Sequence, residues 1–170
     1  MKHFFHRGFL IAAMFFVAVT YTGAYFSDSI MSSGNTFTAG VWAEPVINEV
    51  SSAGSEWIEI RNLRPVTMVL DGYSINDVYG ASPGSKNLNG YSIPANGYLL
   101  LLKGATHDFT FDLNDSHDAL ELRKIGNLIG NIEWGDGIIT APISGESLAR
   151  NVANNWVIDT TPTQGVANDV

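Results

Sequence analysis

The feature of this sequence that most constrains its fold is an alternation of apolar and polar residues with a period of two. Ile58 and Ile60 alternate with Glu59, and Leu120 and Leu122 alternate with Glu121. Side chains of a β-strand point alternately to opposite faces, so this period is typical of strands that bury one face. Since no run has a convincing helical period, the pattern predicts an all-β fold.

The same alternation recurs along the chain and predicts which residues share a buried face. The predicted sets are Val46 with Asn48 and Val50, Val66 with Met68 and Leu70, Phe109 with Phe111 and Leu113, and Leu128 with Ile132 and Trp134. The apolar run Tyr98 to Leu102 is expected of a strand covered on both faces. Turn-forming pairs such as Asp71-Gly72 and Asp136-Gly137 separate these segments. Many short strands punctuated in this way indicate a sandwich or barrel.

Residues 1–24 have the pattern of an export signal. Lys2 and Arg7 supply a positive start, and an unbroken apolar run follows from Phe9 to Val19. Small residues at a cleavage site come next, at Thr22, Gly23 and Ala24. The run is too short to cross a bilayer as a helix, so we expect a cleaved leader and an extracellular or surface location. The alternative is an uncleaved membrane anchor.

Charge and cysteine content exclude several classes of function. The net charge is −8, and the predicted leader holds two cations and no acid, so its removal makes the chain more negative. An acidic surface repels phosphate backbones, and we therefore do not expect nucleic acid as a partner. The absence of cysteine excludes disulfides, thiolate zinc sites and thiol nucleophiles.

The junction after the leader has a recognisable sequence. It runs AYFSDSIMSSGNTFTAGVW from Ala24 to Trp42. This stretch resembles the leader junction of camelysin-like and biofilm-matrix fibre proteins, which a specialised signal peptidase cuts. The resemblance implies export to the surface or matrix. It implies neither the fold nor a peptidase activity, since no HExxH motif occurs.

From about Val46 to Asn168 the chain resembles the lamin tail domain family. The motifs in order include Val46 to Glu49, Glu56 to Ile60, and Thr161-Pro162 near the end. The chain departs from the family pattern at His117, where glycine is usual, and at Thr163-Gln164, which precede Gly165. The resemblance implies an immunoglobulin-like β-sandwich that binds or tethers, with no shared active site or cofactor. The positions to which it gives structural roles are Asn48, Glu49, Trp57, Glu59, Asn62, Gly72, Asp77, Asp118, Gly126, Ser147, Arg150, Trp156 and Pro162.

The predicted organisation is therefore a signal peptide at 1–24, an extended linker or extra strand at 25–44, and one sandwich domain at 45–168. Residues after Pro162 are expected to form a polar tail.

The first two predicted strands carry two carboxylates that raise the question of acid–base chemistry. Glu49 and Glu59, with Trp57 and Asn62 nearby, could form a catalytic pair. The interpretation we prefer is structural, with these side chains hydrogen-bonded to backbone or to Arg150 at the sandwich edge.

Two metal sites are conceivable and neither has a specific motif. Asp112, Asn114, Asp115 and Asp118 are weak candidates for calcium. They fail the EF-hand pattern, and a polar turn is the alternative we favour. His107 and His117 with carboxylates could bind zinc, but two surface loop histidines are the simpler interpretation. We expect no metal and no cofactor.

The sequence thus favours an exported, non-catalytic module that binds a protein or an envelope polymer, or associates with itself. One alternative is a metal-dependent hydrolase or camelysin-like peptidase. A further alternative is nucleic-acid binding by analogy with lamin tails, although fold analogy is weak support for function. Contact with a membrane is expected only through an uncleaved leader.

Overall fold

A computed structural model describes residues 43–79, 83–104, 108–137 and 139–170. The predicted leader, its cleavage residues Thr22, Gly23 and Ala24, and the predicted linker up to residue 42 lie outside the described residues. The described residues belong to one compact unit, Val41–Val170. Across these four ranges, no helix is long and apolar enough to cross a membrane.

The described residues form strands, turns and loops, and contain no helix. The strands are β1 (Val46–Ser51), β2 (Trp57–Arg61), β3 (Met68–Val69), β4 (Tyr73–Asp77), β5 (Ser85–Asn87), β6 (Ser92–Ile93), β7 (Tyr98–Leu102), β8 (Asp118–Lys124), β9 (Asn127–Trp134), β10 (Ser147–Arg150) and β11 (Trp156–Asp159).

The strands pair antiparallel in three sheets. A five-stranded sheet has the order β11-β10-β1-β2-β7, and a four-stranded sheet has the order β5-β4-β8-β9. Strands β3 and β6 form a small third sheet. The architecture is an all-β, immunoglobulin-like sandwich, which confirms the fold class predicted from the alternating pattern.

The hydrophobic core lies between the two larger sheets. Ile58 and Ile60 enter it from the five-stranded sheet, and Leu120, Leu122 and Trp134 enter it from the four-stranded sheet. All five side chains are fully buried. The faces predicted for β2 and β8 are therefore confirmed, with Glu59 pointing away from the core on the outer face of β2.

Two strands depart from regular alternation because each ladder contains an irregularity. In β1 the register shifts between Ile47 and Glu49, so Ile47 and Val50 both join the core. The prediction that Val46, Asn48 and Val50 share a face is wrong, because a bulge adds one residue and inverts the alternation beyond it. Asn48 instead directs its amide to Glu59.

A second shift, between Leu122 and Arg123, has the same effect on β9. Ile132 and Trp134 are buried as predicted, but Leu128 is 52% exposed and does not share their environment. The prediction of one face for all three residues is therefore wrong. Leu128 pairs with Arg123 near the hairpin that joins the two strands.

Three further segments are less regular than predicted. Phe109, Phe111 and Leu113 are buried in the core, but the segment is a loop, which bonds to the end of β7 at Leu102 and forms an isolated bridge between Lys103 and Phe109. Strand β7 itself lies at an edge of the five-stranded sheet, and Leu102 is 36% exposed. Only part of this strand is therefore covered on both faces, as the sequence predicted for all of it. Similarly, Val66 is exposed although Met68 and Leu70 are buried.

Candidate functional site

The outer face of the five-stranded sheet carries the two carboxylates that the sequence singled out. Glu49 on β1 pairs in register with Glu59 on β2, so their side chains lie side by side. Both residues are 0% exposed. The segment after β11 returns across this face, and its residues Thr163, Gly165 and Asn168, here called the C-terminal clasp, bond directly to the carboxylates or to their neighbours.

Glu49 is enclosed by hydrogen-bond donors from two elements. Its Oε1 accepts from Ser147 Oγ at 2.5 Å and from the backbone N–H of Thr163 at 3.1 Å. Its Oε2 accepts from Thr163 Oγ1 at 3.0 Å. Three donors thus satisfy a buried carboxylate, which would otherwise carry a large desolvation cost.

Glu59 has fewer donors than Glu49. Asn48 Nδ2 donates to its Oε1 at 2.7 Å, and the backbone N–H of Gly165 donates to its Oε2 at 2.6 Å. Burial raises the pKa of Glu59 to about 7, and the charge of Glu49 acts in the same direction, while the bonds from Asn48 and Gly165 partly oppose the rise. Glu59 therefore titrates near neutral pH inside the protein.

Asn48 and Asn168 connect the carboxylates to the end of the chain. Asn48 Nδ2 donates to Asn168 Oδ1 at 2.8 Å as well as to Glu59. Asn168 Nδ2 donates to the carbonyls of Arg150 at 2.8 Å and Asn48 at 3.3 Å. The bulge at Asn48 positions this amide, so a local irregularity in β1 creates the attachment point for the C-terminal clasp.

The remaining residues of the predicted carboxylate group have structural partners. Trp57 is buried on β2, and Asn62 donates to the carbonyls of Val66 and Pro94, both at 2.8 Å, while accepting from Arg64 N–H. The structure thus supports the structural interpretation of this group. Of the two partners considered, backbone N–H groups bond to the carboxylates, whereas Arg150 bonds to the Ile47 carbonyl.

Arg150 completes a separate contact at the edge of the five-stranded sheet. Its Nε donates to Ile47 O at 2.8 Å, and its guanidinium lies 4.3 Å from the centre of the Trp156 ring. These two residues pair in register on β10 and β11. Arg150 on β10 therefore contacts β1 through one hydrogen bond and β11 through one cation–π contact.

A second acid pair, which sequence reasoning did not bring together, lies in the four-stranded sheet. Asp77 ends β4 and Asp118 begins β8, and both are buried. Burial, together with the hydrogen bond and the charge of Asp118, raises the pKa of Asp77 to about 7. Asp118 accepts from the backbone N–H groups of Asn114 and Ala119, both at 2.7 Å, so Asp118 is held as the acceptor of the pair.

The four weak calcium candidates do not converge on one point. Asp112 forms an ion pair with Lys103, which also binds Glu56. The Asn114 side chain accepts a hydrogen bond from the backbone N–H of Ser116, and its backbone carbonyl accepts one from Trp134 Nε1 at 2.9 Å. Asp118 belongs to the buried acid pair with Asp77. Asp115 is exposed. Within the described ranges, no three histidine or acidic side chains are grouped so as to hold a metal ion.

Of the two candidate zinc histidines, His107 lies outside the described residues. His117 is exposed and stacks on Tyr79 with ring centroids 4.9 Å apart. Its Nε2 lies 3.3 Å from Glu133 Oε1. No local sequence pattern indicates this trio, because its members come from three separate segments of the chain.

The other positions that the lamin-tail resemblance names have local roles. Gly72 and Gly126 occupy turns with φ values of 82° and 80°, which favour glycine. Ser147 binds Glu49 as described, and Pro162 leads the chain into the C-terminal clasp. The polar tail predicted after Pro162 is thus attached to the sheet by named hydrogen bonds.

No protein-family model matches this chain, and comparison with curated proteins finds no match.

Proposed function

We propose that this protein is an exported, non-catalytic interaction module of the cell surface or extracellular matrix. Its partner is a protein, an envelope polymer or another copy of the chain. The proposal combines the export pattern of residues 1–24 with the chemistry of the buried carboxylates. It agrees with the binding or tethering role that the resemblance to lamin tail domains implies.

The observation that carries the proposal is the enclosure of Glu49 and Glu59. A general acid or base must come within hydrogen-bonding distance of the group it protonates or deprotonates. Both carboxylates are 0% exposed, and each oxygen already accepts a bond from the chain itself. The pair therefore attaches the C-terminal clasp. Its role is structural and not the acid–base catalysis that two neighbouring carboxylates could perform.

The acid pair of Asp77 and Asp118 supports the same conclusion. Asp118 accepts two backbone bonds, and Asp77 accepts the N–H of Tyr79 at 3.1 Å. These contacts fix the loops at the ends of β4 and β8. A raised pKa often marks a functional site, but ion-pair and hydrogen-bond networks that hold a fold raise it too.

The experiment uses the protein in the form that cells release. Its mass and N-terminus are determined, and it is co-sedimented with purified envelope polymers and matrix fractions. We expect an N-terminus after the predicted leader and saturable binding to one of these partners without turnover. The acidic surface predicts no retention on DNA at neutral pH, and salt-sensitive retention would favour the nucleic-acid alternative instead.

The competing hydrolase function is tested on the same preparation. Hydrolysis of casein and of a phosphodiester is measured with and without a chelator, in the wild type and in Glu59→Gln. Activity that the chelator or the substitution abolishes would contradict the proposal. Equal background rates in all four arms are the expected result.

A further inference from the structure

We propose that Asn114 is a glycosylation site, whose side-chain amide nitrogen takes a sugar or oligosaccharide from a lipid-linked phosphate donor during export. This inference goes beyond the proposed function and rests on the export that the proposed function includes. Three observations on the loop before β8 carry it: the sequence Asn114-Asp115-Ser116, the exposure of its asparagine, and the hydrogen bonds that Ser116 makes to that asparagine.

The triplet Asn114-Asp115-Ser116 has the form of an acceptor sequence for N-linked glycans in exported proteins. Such a sequence has asparagine, then a residue other than proline, then serine or threonine, and it lies in a surface loop because a glycan is bulky and hydrated. Of all the asparagines in the chain, Asn114 alone has serine or threonine two positions later. The sequence thus marks one residue for modification, and this residue must also be accessible in the fold.

The side-chain amide of Asn114 is accessible and unused. Asn114, Asp115 and Ser116 are all exposed. Within the described part of the chain, Asn114 Nδ2 donates no hydrogen bond. The amide nitrogens of Asn48 and Asn62, by contrast, donate to oxygens of the fold. A substituent on Asn114 Nδ2 therefore breaks no hydrogen bond and extends into solvent.

Ser116 prepares this amide for the reaction. Its backbone N–H and its hydroxyl both donate to Asn114 Oδ1, at 3.1 and 3.0 Å. Because the backbone N–H can only donate, the atom that it meets must be the oxygen, and the nitrogen is the atom left free. An amide nitrogen is a weak nucleophile, since its lone pair is delocalised into the carbonyl. Two donors on Oδ1 stabilise negative charge there and so favour the loss of a proton from Nδ2.

The transfer forms one bond and breaks one. Asn114 Nδ2 loses a proton to a base of the transferring enzyme and attacks C1 of the first sugar, so a bond forms between the nitrogen and C1. The bond between C1 and the phosphate oxygen of the donor breaks, and the phosphate leaves with its electron pair. The donor and the enzyme are membrane components that the chain meets during export.

The folded domain keeps every contact of this loop after modification. The Asn114 backbone N–H donates to Asp118 at 2.7 Å, and the Asn114 carbonyl accepts from Trp134 Nε1 at 2.9 Å. These bonds, and both bonds from Ser116, use atoms other than Nδ2. The bonds from Ser116 also lie within three residues, so they form without the rest of the domain. The glycan is therefore compatible both with addition to the emerging chain and with the folded state.

The test uses the protein that native cells release, analysed by intact-mass and peptide mass spectrometry. We expect the wild type to exceed the mass of its leader-free sequence by one or more sugar residues, all on the peptide that contains Asn114. Ser116→Ala removes the hydroxyl and should abolish the added mass, whereas Ser116→Thr keeps a hydroxyl and should retain it. Asn114→Gln should also abolish it. Asn131→Gln changes an exposed asparagine outside any such triplet, so this matched control should retain the sugar.

Circular dichroism shows whether each released variant is folded, so a folded variant without sugar has lost only the acceptor. A released wild-type protein without added mass overturns the inference, as does a sugar that persists in Asn114→Gln. Either result leaves the proposed function standing if partner binding persists. A chain that native cells do not export overturns both, since the glycan is added only during export.

Discussion

Replacement of Glu59 by glutamine tests how much the protonation of this buried side chain contributes to the free energy of unfolding at different pH values. In the folded protein burial raises the pKa of Glu59 to about 7, from an ordinary value of 4.5. The neutral form is thus favoured in the folded state. Its stabilising contribution is fully present below pH 4.5 and is lost as the pH rises through 7.

The size of the effect follows from the two pKa values. A shift of one unit corresponds to about 1.4 kcal/mol, so the contribution of Glu59 changes by about 3 kcal/mol across this pH window. Glutamine carries no charge at any pH in the window. It can accept the bond from Asn48, but its amide N–H₂ opposes the Gly165 N–H. We therefore expect Glu59→Gln to be less stable than the wild type at pH 4 and to recover relative to it as the pH rises.

Urea unfolding of both proteins at half-unit steps from pH 4 to pH 8 measures the difference directly. Glu146→Gln makes the same replacement at a partly exposed side chain that accepts from the backbone N–H of Ile143, and it serves as the matched control. The expected result is a wild-type minus variant free energy that falls by about 3 kcal/mol for Glu59→Gln and stays nearly level for the control. A constant difference for Glu59→Gln would refute the reasoning.

Three further changes follow from the same structure. Asp77→Asn retains an acceptor for the Tyr79 N–H and gives a permanent donor to Asp118, so urea unfolding should show it gaining at least about 1 kcal/mol on the wild type between pH 4 and pH 8. Gly135→Ala should lower the free energy of unfolding by at least about 2 kcal/mol, because a Cβ there would lie 1.8 Å from the Ser116 carbonyl oxygen. Gly137→Ala is the control: its Cβ would meet nothing within 4 Å, so it measures only the cost of a positive φ. Asn168→Ala removes the bonds to Asn48 and to the Arg150 carbonyl and should cost about 1–3 kcal/mol, measured by denaturant unfolding.

The strands that the sequence predicted well are those with uninterrupted pairing. Ile58, Ile60, Leu120 and Leu122 lie where the period of two places them, because β2 and the first part of β8 keep a regular register. The faces of β1 and β9 were predicted wrongly because a bulge adds one residue and inverts the alternation. Composition and period carry no information about where such a bulge falls.

The arrangement of the acids was only partly accessible from the sequence. Glu49 and Glu59 were placed on the first two strands, but their partners lie about a hundred residues further along the chain, at Ser147 and in the C-terminal clasp. The pair Asp77–Asp118 joins the ends of β4 and β8, whose pairing is fixed by the sheet order. Local pattern does not determine sheet order, so contacts between distant strands needed the structure.

The central claim is that the buried carboxylates hold the C-terminal clasp and are closed to substrates. Amide hydrogen exchange at Thr163 and Gly165 tests it most directly, because their N–H groups donate to Glu49 and Glu59. We predict protection comparable to that of the β1 and β2 amides. Exchange as fast as that of the unbonded residues at the chain terminus would show that the clasp is open and would contradict the account.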